Sequence, residues 1–381
     1  MISYNSIFPY GRQVDGVLQI TESFFIEDVC ERSAGFVIVS ALTSYKGENA
    51  PKIQYEIRVC GDENPVYTSH TYRIGKESDY TRQTWRVPPL FLPQLKLTVR
   101  VEIPSETTLF VRDFTTAHDI PSISWNGGLR HNAHLGFWGL APDNTMPAFE
   151  LAAACGFPAC IVVPKVTADG KLVCIHDDTI NRTARDASGN APSEKIYVWD
   201  KTYDELLLWE YGSYKNPIYK GTRLPLLSEF FDLCAKTGMR PMFSTHPGLT
   251  VEQWQEVKEM LKRRGLLKLF HIKSFGLDIL KTAYSVFGTE IEGYTFDIGK
   301  WEDTHIDMLL SSGIDASACR VGIEVRFDDY TEEIASSIRA AGFFASAWDV
   351  KCRDFSEYER LSSWGVTEFT EDYHCSMGLN Y

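Results

Sequence analysis

No stretch of eighteen apolar residues occurs in this 381-residue chain, so no segment reads as a membrane-spanning helix. No Cys-x-x-Cys pair occurs among the nine cysteines, and their odd number argues against a disulfide framework. Several, such as Cys174 in LVCIH, sit inside apolar runs and read as small buried hydrophobes of a reducing compartment. The N-terminal MISYNSIFPYGRQVDG lacks the basic segment and apolar run of a signal peptide, so the expectation is a cytoplasmic protein. Positive charge is in deficit: 38 Lys and Arg against 51 Asp and Glu give a net charge of −13. An acidic surface repels polyanions, which argues against nucleic acid as a partner. A small anion still binds where a local cationic pocket overrides the net charge. Internal repeats and low-complexity tracts are absent as well.

What is present reads as two parts. The length exceeds what one ordinary core serves. Residues 1–118 alternate apolar and polar positions with period two, as in KIQYEIRVC (52–60) and KLTVRVEI (96–103), with turn signals between. They predict an antiparallel β-sandwich. Tyr67, Tyr72 and Trp85 are its exposed-looking aromatics. Residues 119–128 carry the Pro, Ser and Gly of a linker. From residue 129 to 381 short apolar strands alternate with helical segments, several closed by glycine. The expected strands are LRHNAH, CIVV, KLVCIH, RPMFST, LFHIKSF, EIEGYTF, FFASAW and VTEFT. Eight strand–helix units over some 250 residues predict an α/β TIM barrel, (β/α)8, with its chemistry at the C-terminal strand ends. That rim would gather His134, Lys165, His176, His246, Ser274 and Trp348.

Motifs sharpen this picture. AHLGFWGLAPDNTMPAFELA (133–152), VTADGKLVCIHDDTINRTARDASG (166–189) and RLPLLSEFF (223–231) stand in order. KSF (273–275), AW (347–348) and TEDY (370–373) follow. Together they resemble the glycerophosphodiester phosphodiesterase family, a branch of the phosphatidylinositol-phospholipase-C-like barrels. The resemblance covers residues 129–381 and implies cleavage of a small phosphodiester. It assigns general acid and base roles to His134 and His176; histidine suits both because its pKa lies near neutrality. The plain alternative for each is a buried structural histidine.

The same comparison exposes departures. Ile161, Val163 and Ser244 stand where the family holds three metal-binding carboxylates. Leu135 replaces an arginine and His246 a lysine. Mg²⁺ and Ca²⁺ need hard oxygen ligands, which Ile and Val cannot supply. The expectation is therefore no divalent cofactor at the usual place. A displaced site would have to draw on Asp143, Asp297, Glu371 or Asp372. If Ile161 and Val163 face the barrel interior, alternation carries Lys165 there too, although Pro164 intervenes. Lys165 and His246 would then supply positive charge to a bound phosphate. Lys165 reads equally as a solvated loop lysine. Arg182 either grips a phosphate oxygen or pairs with an aspartate. Trp348 either packs against the substrate's alcohol or choline group or belongs to the core. Asp177 and Asp178 are placed to orient His176. Asp143 shortens the family's glutamate by one methylene, and Asn144 or Thr145 reads as the N-cap of the helix that follows.

Three functions fit these residues. The first is a metal-independent phosphodiesterase or lyase. The second is an inactive protein that binds a phosphodiester or sugar phosphate. The third is a scaffold barrel whose β-domain binds carbohydrate or protein.

Overall fold

The computed structural model describes residues 12–27, 36–59, 65–68, 74–87, 95–119, 129–350 and 355–371. Tyr72, Asp372, most of the 119–128 segment and the side chains of Tyr67 and Trp85 lie outside this description. The chain divides into two compact units, one built mainly of residues 1–122 and the other of 123–351 and 356–373.

The first unit carries two sheets. One joins Arg12–Val14, Val17–Ile20, Thr108–Asp119, Phe36–Lys46 and Gly75–Lys76 in that order, with Thr81–Val87 also on Phe36–Lys46. The other runs Phe24–Glu27, Leu95–Glu102, Lys52–Val59, Pro65–Thr68. Every pairing is antiparallel except that of Gly75–Lys76. The period-two pattern has its expected result here. Val99 and Val101 are buried on one sheet, and Leu109 and Val111 on the other.

The second unit is a closed parallel barrel of eight strands. They are β1 (Arg130–Ala133), β2 (Ala159–Val162), β3 (Arg240–Ser244), β4 (His271–Ser274), β5 (Gly293–Ile298), β6 (Arg320–Arg326), β7 (Phe344–Val350) and β8 (Val366–Glu371). Its described helices of seven residues or more are α1 (Met146–Ala154), α2 (Leu227–Thr237), α3 (Val251–Arg263), α4 (Leu277–Phe287), α5 (Thr304–Leu310), α6 (Glu332–Ala340) and α7 (Phe355–Ser363). Helix α2 stops at Gly238, whose φ of +77° is the left-handed conformation glycine adopts without steric cost. Thr250 caps α3 in a reciprocal box with Gln253. Among the described residues no helix is long and apolar enough to cross a membrane.

One expected strand needs correction. Leu172–Cys174, within the expected KLVCIH strand, is not a barrel stave; it pairs antiparallel with Pro164–Val166 as a separate two-stranded ribbon. The stave that completes the eight is β6, RVGIEVR, which was not among the expected strands. The alternation from Ile161 through Val163 to Lys165 breaks where β2 ends at Val162. Pro164, which has no N–H to donate, opens the ribbon instead.

The barrel interior is polar rather than filled with branched aliphatics. Phe243 faces outward, stacked on Phe231 of α2 and tilted on Trp254 of α3. Its neighbours Met242 and Ser244 therefore face inward. Sheet register carries that face to His271 and Lys273 on β4. Lys273 forms an ion pair with Glu324 of β6, lies 3.7 Å from Asp297 of β5 and reaches Thr370 of β8 at 3.4 Å. Ser346 and Thr370 donate to the other Glu324 oxygen at 2.8 and 2.7 Å. Burial works against the Lys273 charge, but Asp297 and Glu324 outweigh it and hold its pKa above the ordinary lysine value. Burial, against the pull of Lys273 and with the repulsion of Glu324, holds Asp297 well above the ordinary carboxylate range. On the wall formed by β2 the interior turns apolar: Ile161 packs with Ala159 and Met242.

Candidate active site

The site is assembled by the loops that follow β1, the 164–174 ribbon and β3. His134 comes directly after β1, and its N–H donates to the Glu371 carbonyl of β8 at 3.0 Å. Its half-buried ring lies edge-on to Trp138, 6.4 Å between centroids. The chain then doubles back. Asn144 donates its N–H to the Leu135 carbonyl at 2.9 Å, closing the loop at its base. Gly136, at φ +83°, lets the loop touch α1; a Cβ there would lie 2.6 Å from that of Ala148. This close approach is the physical reason for glycine in the AHLG motif. Asn144 also accepts the Val163 N–H at 3.0 Å, and the Val163 carbonyl accepts from Ile175 at 3.0 Å. A continuous run of hydrogen bonds thus connects the His134 loop with the residue before His176.

His176 is partly exposed at the ribbon's end, with Nδ1 2.8 Å from Asp177 Oδ1. Burial raises the Asp177 pKa, but the bonds from His176 and Arg182 override it and hold this carboxyl far below its usual range. An ionised carboxylate only accepts, so Nδ1 carries the proton and Nε2 is left for chemistry.

Arg182 joins the two loops. Its Nε and Nη2 donate to Asp177 at 2.7 and 3.2 Å. Its Nη1 and Nη2 also donate to both Asp143 oxygens at 2.9 and 3.0 Å. The guanidinium is engaged by two carboxylates, which is the structural pairing weighed against phosphate binding in the sequence. Thr145, one of the two expected residues, stands at the N-cap of α1, but its hydroxyl bonds back to the Pro142 carbonyl at 2.6 Å instead of capping the helix. Asp143 takes Arg182 and the Tyr214 hydroxyl. Burial opposes ionisation of Asp143, but Arg182 and Tyr214 hold its pKa below the ordinary value.

A test follows. Arg182→Ala should cost about 1–3 kcal/mol in urea unfolding at pH 7, because Asp143 stays buried without its cation. The Asp143 pKa is lower in the folded than in the unfolded chain, so this stabilisation exists above the unfolded value and is lost as pH falls. The gap between wild type and variant should narrow toward pH 3; a gap constant with pH would rule the ion pair out as its source.

Lys165 is buried at the mouth, where its ammonium donates to Asp178 at 2.6 Å and to the His246 carbonyl at 2.6 Å. The expectation that it supplies free positive charge meets a correction: Asp178 neutralises it. His246 carries less charge than expected too. Burial, Lys165 and His176 together hold its pKa below the ordinary histidine value. The His246 and His176 rings meet edge to face, 5.3 Å between centroids. Trp348 donates its indole N–H to the Ile298 carbonyl at 3.0 Å and meets the exposed Phe275 edge-on at 5.7 Å. The two rings form an aromatic edge where β4 and β7 end.

The sequence reading missed Tyr214 and Phe275. Tyr214 lies 71 residues from Asp143, and no periodicity links them. His131 is buried and pairs with Glu371. Among the described residues no three His, Cys, Asp or Glu side chains converge as a metal cluster.

A sequence model of the glycerophosphoryl diester phosphodiesterase family matches residues 134–285. A glycerophosphodiester phosphodiesterase of Bacillus altitudinis is 26% identical over 219 residues, 55% of this chain and 80% of that protein. The fold is that of an Oleispira antarctica phosphodiesterase solved with its product sn-glycerol-3-phosphate: TM-score 0.55, 22% identity, 64% of this chain and 93% of that one. A Silicibacter pomeroyi glycerophosphoryl diester phosphodiesterase structure aligns with TM-score 0.56 at 21% identity, covering 65% and 91% of the two chains.

Proposed function

We propose that this protein, whose residues 134–285 match the glycerophosphoryl diester phosphodiesterase family, cleaves a small phosphodiester by acid–base catalysis through His134 and His176. The observation that carries the reading is the support behind His176. Asp177 fixes its Nδ1–H, and Arg182 ties Asp177 to Asp143 in the His134 loop. A merely structural histidine has no use for an oriented, partly exposed Nε2.

His176 is the acid in this account, because Asp177 stabilises the imidazolium that must hold the proton. His134 takes the proton of the attacking hydroxyl, from water or from the substrate's own alcohol. The new P–O bond forms as the old one breaks, and the departing oxygen leaves with the His176 proton. Trp348 and Phe275 line the mouth for the alcohol portion.

The family's metal finds no fit here. The aligned positions are Ile161, Val163 and Ser244, and Ile161 lies in an apolar contact with Ala159 and Met242. No step is routed through a divalent ion. We also read the two N-terminal sheets as a sandwich, since each buries an apolar row: Val99 and Val101 on one, Leu109 and Val111 on the other.

Phosphorus NMR of glycerophosphocholine, glycerophosphoethanolamine and glycerophosphoinositol incubated with the protein tests the reading. A new monoester or cyclic phosphate resonance supports it. Broadened substrate resonances without product would replace it with a binding-only barrel.

A further inference from the structure

We propose that His246 is a further substrate-contacting residue, whose Nε2–H donates a hydrogen bond to a non-bridging phosphoryl oxygen of the diester held against His176. The inference rests on the phosphodiesterase reading and adds the group that receives the phosphoryl charge.

Position comes first. His246 follows the last residues of β3 and is half-buried, with its ring edge to face with His176 at 5.3 Å. An oxygen on the phosphorus that His176 serves is within reach of this neighbour. The backbone is also fixed: Lys165 Nζ donates to the His246 carbonyl at 2.6 Å and to Asp178 at 2.6 Å.

The tautomer comes second. His246 Nδ1 is buried and has no hydrogen-bond partner among the described residues. A buried N–H without an acceptor is rare and costs about 1–3 kcal/mol. The proton therefore belongs on Nε2, the other ring nitrogen.

Electrostatics come third. Burial, the Lys165 ammonium and His176 oppose a charge on His246, and Asp178 and Asp177 only partly offset them. The ring is neutral at neutral pH. A neutral imidazole protonated at Nε2 cannot accept a proton there, so His246 is not the base. It is a fixed donor aimed at an oxygen that gains charge as the P–O bond breaks. Lysine at this position would place a second ammonium beside Lys165; histidine keeps the donor and removes the repulsion.

The test compares His246→Ala, His246→Gln and wild type on glycerophosphocholine, with unfolding midpoints as the fold control. Glutamine presents an amide N–H near the position of Nε2 but cannot act as a base. His246→Ala should lower kcat/KM about 10²-fold. His246→Gln should recover most of that loss and keep the wild-type pH profile. Equal loss in both variants, with the acid limb of the pH profile gone, would make His246 a proton acceptor and overturn the proposal. So would an unchanged His246→Ala. If wild type shows no turnover, glycerophosphocholine binding followed by phosphorus line broadening decides the matter separately. Weaker binding by His246→Ala, restored by Gln, then keeps the donor role while catalysis fails. Equal binding by all three, or none by wild type, overturns it.

Discussion

His176→Ala should lower kcat for phosphodiester cleavage about 10²–10⁴-fold, the usual worth of a positioned general acid. The fold should be almost untouched. The ring is partly exposed, and its partner Asp177 keeps two bonds from Arg182, so the stability change should stay within about 0.5 kcal/mol. Activity and stability therefore separate, and their separation is informative. Asp177→Asn should give a smaller loss in kcat, because an amide oxygen still accepts from Nδ1 but no longer stabilises the imidazolium. Steady-state kinetics and thermal unfolding of the two variants check both statements. A His176→Ala protein with wild-type kcat would remove the acid from the mechanism.

Lys273→Met should destabilise the barrel by about 3–5 kcal/mol at neutral pH, the usual penalty for stranding one partner of a buried ion pair. Lys273 and Glu324 are almost fully buried, and Asp297 lies in the same space. Without the ammonium, the Ser346 and Thr370 hydroxyls still donate to Glu324, but its paired charge is gone. It then prefers to be protonated, and its folded pKa rises above the unfolded value. A raised folded pKa gives stability at low pH that is lost as pH rises. The variant should therefore lie closest to wild type near pH 5 and furthest from it near pH 8. Urea unfolding at the two pH values checks this. A penalty independent of pH would mean that packing of the lysine stem, not its charge, holds the cluster together.

How much of this was legible in the sequence differs from part to part. Strand–helix alternation carried the barrel and its count of eight. It named one wrong stave because KLVCIH and RVGIEVR carry opposite signals. KLVCIH is an apolar run, which a ribbon buried under the 175–226 excursion satisfies as well as a barrel stave does. RVGIEVR alternates Val321, Ile323 and Val325 with Gly322 and Glu324, and the charged Glu324 faces inward. A rule that sends apolar residues inside reads that strand as exposed.

His134 and His176 stand in contiguous motifs, just after β1 and just after the Leu172–Cys174 strand. The pairing of Arg182 with Asp177 was open at the sequence level, since five residues separate them. Its grip on Asp143, which lies 39 residues away, depends on how the two loops meet. The neutralisation of Lys165 by Asp178 was hidden for a like reason: Pro164 turns the chain out of the barrel before Lys165 is reached.

The central claim is phosphodiester cleavage at a site whose aligned metal positions hold Ile161, Val163 and Ser244. The most direct measurement is turnover of glycerophosphocholine before and after exhaustive treatment with EDTA. The account predicts equal rates in both, with both lost in His176→Ala. A rate abolished by EDTA and restored by Mg²⁺ or Ca²⁺ would contradict it.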